Sequence, residues 1–166
     1  MVNFWTGFKQ WAKLNKQEME IRNLAIGMNS TVDLTKDLHI VMLDYDIKDR
    51  ELVFESVIEL QIFWNLADAW IYSTKNGFHV FFYHDLVPYG RLKLIIEYAK
   101  YVDVQYKYIS RYYDHKTVRA AGKYKEKDIK FVEQIKGLRV PTAIERELGD
   151  MKKQERDLLA NDDNKA

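Results

Sequence analysis

The chain has 166 residues, of which 47% are hydrophobic and 14% aromatic, enough to bury a core in one domain. It contains no cysteine, which excludes disulfides, zinc ribbons and thiol catalysis, and no run approaches the roughly 20 apolar residues of a membrane helix. The net charge is +1, yet residues 1–89 carry 8 Lys/Arg against 12 Asp/Glu while residues 90–139 carry 13 against 6. An acidic stretch followed by a basic one suits a polyanion held partly by side chains and partly by metal ions, with a solvated lysine-rich surface as the plain alternative. The start, MVNFWTGFKQ, lacks the basic-then-apolar pattern of a secretory signal, so the chain reads as cytoplasmic.

In chain order, Phe4, Phe8, Trp11 and Leu14 fall near helical spacing and predict a short amphipathic N-terminal helix. Residues 39–47 read as a strand. Asp49 is placed to cap a helix in which Val53, Val57, Leu60 and Trp64 recur every three or four residues. AWIY (69–72) and FHVFFYH (78–84) read as strands joined by the turn-forming TKNG. Pro88 opens a second helix through YGRLKLIIEYAK, and YVDVQY (101–106) alternates as a strand should. Further short strands are expected after residue 110. A final helix is expected from Pro141, with Ile144, Leu148 and Met151 on one stripe and a frayed polar tail, lying on its own domain.

The resulting order is β-α-β-β-α-β, the split pattern of ferredoxin-like and RNA-recognition-motif (RRM) domains. The expected fold class is therefore α+β and RRM-like, with helices on one face of the sheet and extra strands and a helix at the C-terminal end. Alternation puts Met42, Asp44 and Asp46 on one side of the first strand and His79, Phe81 and Tyr83 on one side of another. In this topology those two strands are central neighbours. Both sets then share the open face, where exposed Phe81 or Tyr83 would be able to stack a base.

Three segments carry chemistry. In VMLDYD two aspartates on alternate strand residues point the same way, about 7 Å apart at the backbone. Their repulsion calls for a cation such as magnesium or manganese, although aspartates also gather at strand ends as turn formers. In YSTKNGFHVFFY, Ser73, Thr74, Lys75 and backbone amides are positioned to receive phosphate oxygens, Gly77 permits close approach, and His79 faces the aspartates' side. In YVDVQYKYISRYYDHKTVRAAGKY, Asp103 is a third carboxylate, and Arg119 and Lys123 are cations for a triphosphate or a nucleic-acid backbone. Arg111 and Lys116 read as surface residues, and His39, His84 and His115 as structural ones.

Together these blocks resemble the archaeo-eukaryotic primase superfamily, the primase small subunits and primase-polymerases. VMLDYD matches its apolar strand ending in Asp-x-Asp. Ser73, Lys75, Gly77 and His79 match its Ser, basic loop and Gly-x-His, and Val102–Asp103 its apolar-Asp motif. Tyr106, Arg119 and Lys123 fit the tyrosine, arginine and lysine that often follow in primase-polymerases. The likeness covers residues 38–125. Each motif is short, so its weight comes from the three together. The family's members usually have a larger N-terminal module, for which the preceding 38 residues read as a short substitute, and often a zinc insertion whose cysteines this chain lacks, so a reduced member is expected.

The resemblance implies one catalytic domain over residues 1–141 and a charged helix with its tail over 142–166. It implies a template-dependent nucleotidyltransferase, a DNA primase or primase-polymerase, acting on nucleoside triphosphates and a single-stranded DNA template. Asp44, Asp46 and Asp103 would hold two Mg2+ or Mn2+ ions, while Ser73, Thr74, Lys75, Gly77, His79, Arg119 and Lys123 bind the nucleotide. A helicase or larger primase subunit is an expected partner. Competing readings are a degenerate non-catalytic primase-like subunit, an RRM-like binding module with Phe81 and Tyr83 as platforms, and a metal-dependent nuclease.

Overall fold

The computed structural model describes residues 26–33, 35–113, 115–121 and 129–161. The expected N-terminal helix, Lys123 and the end of the tail lie outside them. The elements are β1 (Ile26–Asn29), β2 (Thr31–Asp33), β3 (Leu38–Tyr45), α1 (Arg50–Trp64), β4 (Ala69–Ser73), β5 (Phe78–Val87), α2 (Tyr89–Tyr98), α3 (Val104–Ser110), β6 (Thr117–Ala121), β7 (Lys130–Ile135) and α4 (Ala143–Asn161). This is an α+β chain. A five-stranded antiparallel sheet has the order β2-β3-β5-β4-β7, and β1 pairs separately with β6.

Local chemistry explains most boundaries. The Asp49 carboxylate accepts from the amides of Glu51 and Leu52, which starts α1. That helix ends at Asn65, which adopts φ 52° in the left-handed region that asparagine tolerates. Pro88 stands just before α2, where its missing N–H costs nothing. At α4, Thr142 and Glu145 form a reciprocal capping box: the Glu145 amide donates to Thr142 Oγ1, and the Thr142 amide to Glu145 Oε2.

The two faces of the sheet are closed by different elements. On the Tyr45 side, the tyrosine hydroxyl lies 3.0 Å from Ser56 Oγ of α1, which in turn donates to the Lys100 carbonyl beyond α2. Both helices therefore share this face, where Val41, Leu43, Ile71, Val80 and Phe82 are buried in one core with Val53, Val57, Leu60, Leu92 and Ile95. On the other face runs α4. Its Gly149 approaches so closely that an added Cβ would sit 2.3 Å from the Tyr83 carbonyl oxygen. The anchor of α4 is Arg139, which donates to the Asp85 and Glu145 carboxylates and to the His84 carbonyl.

Three expectations need correction. Residues 101–106 do not form a full strand: Val102 makes one isolated bridge to Tyr45, and the chain turns into α3 at once. Val102, Tyr106 and Ser110 are buried four residues apart, so the pattern read as alternation was the inner stripe of a helical segment. In α4, Ile144 is exposed, and the inward positions are Gly149, Lys152, Arg156 and Leu159. Finally, Phe81 and Tyr83 are not exposed: they stack on one another at 5.1 Å and are fully buried. Of the added strands, β7 does extend the sheet, whereas β6 leaves it for β1.

Candidate functional site

The site is built where β3 and β5 end side by side. Asp44 and His79 are direct partners in the antiparallel ladder, so their side chains leave the sheet on the same side. His79 Nε2 lies 3.6 Å from Asp44 Oδ1, with the imidazole buried and the carboxylate 37% exposed. Such a pair holds negative charge at a mouth open to solvent, backed by a desolvated ring.

Asp103 reaches the same place by another route. Its amide donates to the Asp44 carbonyl at 2.9 Å, fixing the start of α3 against the end of β3. One of its carboxylate oxygens caps that helix by accepting from the Tyr106 amide at 2.6 Å. Asp46 lies beyond the last residue of β3 and is exposed. Among the described residues, no three histidine, aspartate or glutamate side chains are grouped to hold a metal ion by themselves.

The hairpin loop is more structural than its sequence suggests. Thr74 N donates to the Gly77 carbonyl, and Gly77 N to Thr74 Oγ1, so both amides are used inside the turn. Gly77 has no positive φ; it is needed because a Cβ would lie 1.8 Å from the Tyr45 carbonyl oxygen. Ser73 pairs with Phe78, which orients it opposite to Tyr72 and His79, and its hydroxyl leans on the Lys130 carbonyl at 3.5 Å. Lys75 is exposed on the loop. Arg119 is a β6 residue whose backbone pairs with Gly27.

Two further residues stand at this site: Tyr106, matched above to the family's tyrosine, and Lys116, read above as a surface residue. Lys116 is buried; its Nζ donates to the Tyr106 carbonyl at 2.6 Å and lies 3.7 Å over the Tyr106 ring. Burial lowers its pKa to about 8, while the negative charges of Asp44 and Asp103 pull the other way. Lys116 thus holds its amine within electrostatic reach of both carboxylates, and it is no surface lysine. Tyr106, whose hydroxyl donates to the Met42 carbonyl, braces it. The only sequence signal for Lys116 was its position just before β6; its main chain is pinned by reciprocal bonds to Ser30, far away in sequence.

These donors fit a hard divalent cation in kind. Asp44, Asp46 and Asp103 offer oxygen ligands, and magnesium is commonly held by one or two carboxylates with phosphate oxygens and water completing the shell. A bound phosphate chain would therefore have to supply part of the coordination. No protein-family model, curated protein or solved structure matches the chain. No helix among the described residues is long and apolar enough to cross a membrane.

Proposed function

We propose that the protein is a template-dependent nucleotidyltransferase of primase or primase-polymerase type, with the Asp44–His79–Asp103 site as its centre. One observation carries the reading: three motif residues far apart in sequence converge, Asp44 beside His79 at 3.6 Å and Asp103 hydrogen-bonded through its amide to the Asp44 carbonyl. The run β3-α1-β4-β5-α2, with β3 next to β5 and both helices on one face, supports an RRM-like core whose fourth strand has shrunk to the Val102 bridge.

Divalent metal, when bound, would activate the attacking 3′-hydroxyl and steady the leaving pyrophosphate. The chain's own part is positional. Asp44, Asp46 and Asp103 orient the oxygen ligands, and His79 donates to a phosphate oxygen from a dry, rigid strand. Lys75, Arg119 and Lys123 are the further cations offered to the triphosphate, and Lys116 balances the acids. Ser73, Thr74 and Gly77 support the reading by shaping the hairpin. Catalysis would then rest on preorganised charge, with no covalent protein intermediate.

A second reading, a primase-like subunit that binds nucleotide without chemistry, is favoured by the lack of a ready three-acid group among the described residues. An RRM-like module loses its platform, since Phe81 and Tyr83 are buried. The deciding experiment incubates the protein with single-stranded DNA, Mn2+ or Mg2+ and labelled nucleotides, and sizes the products. Extended products establish nucleotidyl transfer, and shortened template establishes a nuclease. A folded protein with no product under any combination leaves the non-catalytic subunit.

A further inference from the structure

A charged group lies on the α4 side of the sheet with no role in the account above. Arg156 is 6% exposed, and its guanidinium stacks 3.6 Å over the Tyr72 ring. Nη1 bonds Asp157 at 3.2 Å, whereas Nη2 is buried with no hydrogen-bond partner among the described residues. A buried guanidinium N–H without an acceptor is costly, and an aromatic ring beneath it satisfies the plane of the cation without satisfying its edge. A structural strut has no need of such an arrangement, because methionine or leucine would fill the same space.

Position supplies the missing acceptor. Tyr72 is the direct ladder partner of His79, and His79 in turn is the partner of Asp44. Arg156 therefore sits above the same face as the imidazole, one strand further from the carboxylate. With Nη1 taken by Asp157, Nη2 is the donor left to bond an anionic oxygen such as a phosphate's. Neighbouring charges on α4 are paired as well: Lys152 is bonded to Glu155, and Lys153 lies 3.7 Å from Asp157. Of the two buried α4 cations, Lys152 is thus bonded along the helix, while Arg156 lies on the Tyr72 ring with an N–H left over.

We propose that Arg156 is a phosphate-binding residue contributed by α4, taking oxygens of a nucleoside triphosphate whose other end is held at His79 and Asp44. The helix then completes the nucleotide site as well as covering the sheet. This rests on the nucleotide-handling reading above and deepens it.

The test measures binding of a nucleoside triphosphate, and of the matching nucleoside, to the full chain by calorimetry with Mn2+, in wild type, Arg156→Met, Arg156→Lys and Asp44→Asn. Arg156→Met keeps the length and packing over Tyr72, and its melting temperature is expected to equal or exceed that of wild type, since the unmatched N–H is gone. Triphosphate affinity is expected to fall about ten- to hundredfold in Arg156→Met, to recover in part in Arg156→Lys, and nucleoside binding to stay level. Unchanged triphosphate affinity in a folded Arg156→Met, with Asp44→Asn impaired, overturns the role of Arg156 and leaves the site standing. Wild type that binds no triphosphate overturns both.

Discussion

The two faces of the five-stranded sheet are both closed, but with different materials. The α1–α2 face is packed with Val41, Leu43, Ile71, Val80 and Phe82 against aliphatic helix residues, and its buried polar atoms among the described residues include the Tyr45–Ser56–Lys100 relay, the side chain of Gln61 and the Trp64 indole nitrogen. The α4 face buries His79, Asp85, Lys116, Lys152 and Arg156 among its aromatics. Desolvating each of those groups costs free energy that the first face avoids. The comparison separates a surface organised for stability from one that keeps charge in place, and mutations on the two faces should fail in different ways.

The largest effect is expected on the charged side. Asp44→Ala should lower metal-dependent nucleotide incorporation by about 10²–10³-fold or more, while the melting curve stays cooperative. Activity within a few-fold of wild type would remove Asp44 from the mechanism. Asp46→Ala is expected to behave alike, and an active Asp46→Ala would confine the metal role to Asp44 and Asp103. On the apolar side the outcome reverses. Leu60→Ala in α1 should cost about 2–5 kcal/mol in denaturant unfolding and leave the activity per folded molecule alone.

A subtler contrast concerns Asp85, where burial outweighs the pull of Arg139 and the Ala67 amide and pushes the carboxyl up to about 6. A folded-state value above the ordinary one favours the proton-bound native form. That contribution is present below the unfolded value near 3.8 and is lost as pH rises through about 6, a swing of roughly 3 kcal/mol. Wild-type stability minus that of Asp85→Asn should therefore shrink between pH 4 and pH 7 in denaturant titrations, and parallel curves would contradict the shift. The smallest expected effect is His79→Ala, which should raise the nucleotide Michaelis constant about tenfold with little change in turnover. An unchanged constant would exclude a phosphate role for the imidazole.

The apolar face was readable from sequence because its signal is local. Val53, Val57 and Leu60 announce α1 by their spacing, Asp49 by its capping chemistry, and the TKNG turn joins β4 and β5 where expected. Asp44 and His79 could be set on one face for the same reason. The charged face resisted because its determinants are contacts between distant segments. Nothing local tells that Phe81 and Tyr83 will be roofed by α4, and Arg156 and Lys116 look like ordinary solvated cations in a chain that carries 26 lysines and arginines. Asp103 was misassigned for a different reason: with apolar or aromatic residues every second position from 102 to 106, strand and helix patterns coincide, and the carboxylate's bond to the Tyr106 amide decides between them.

The fit of Gly77 against the Tyr45 carbonyl means that the tip of the β4–β5 hairpin is wedged on the acidic end of β3. The close approach of loop and strand at this point depends on the missing side chain. Conversely, a single methyl group at position 77 would act as a crowbar, prising the hairpin tip off the acidic strand without touching an ionisable atom.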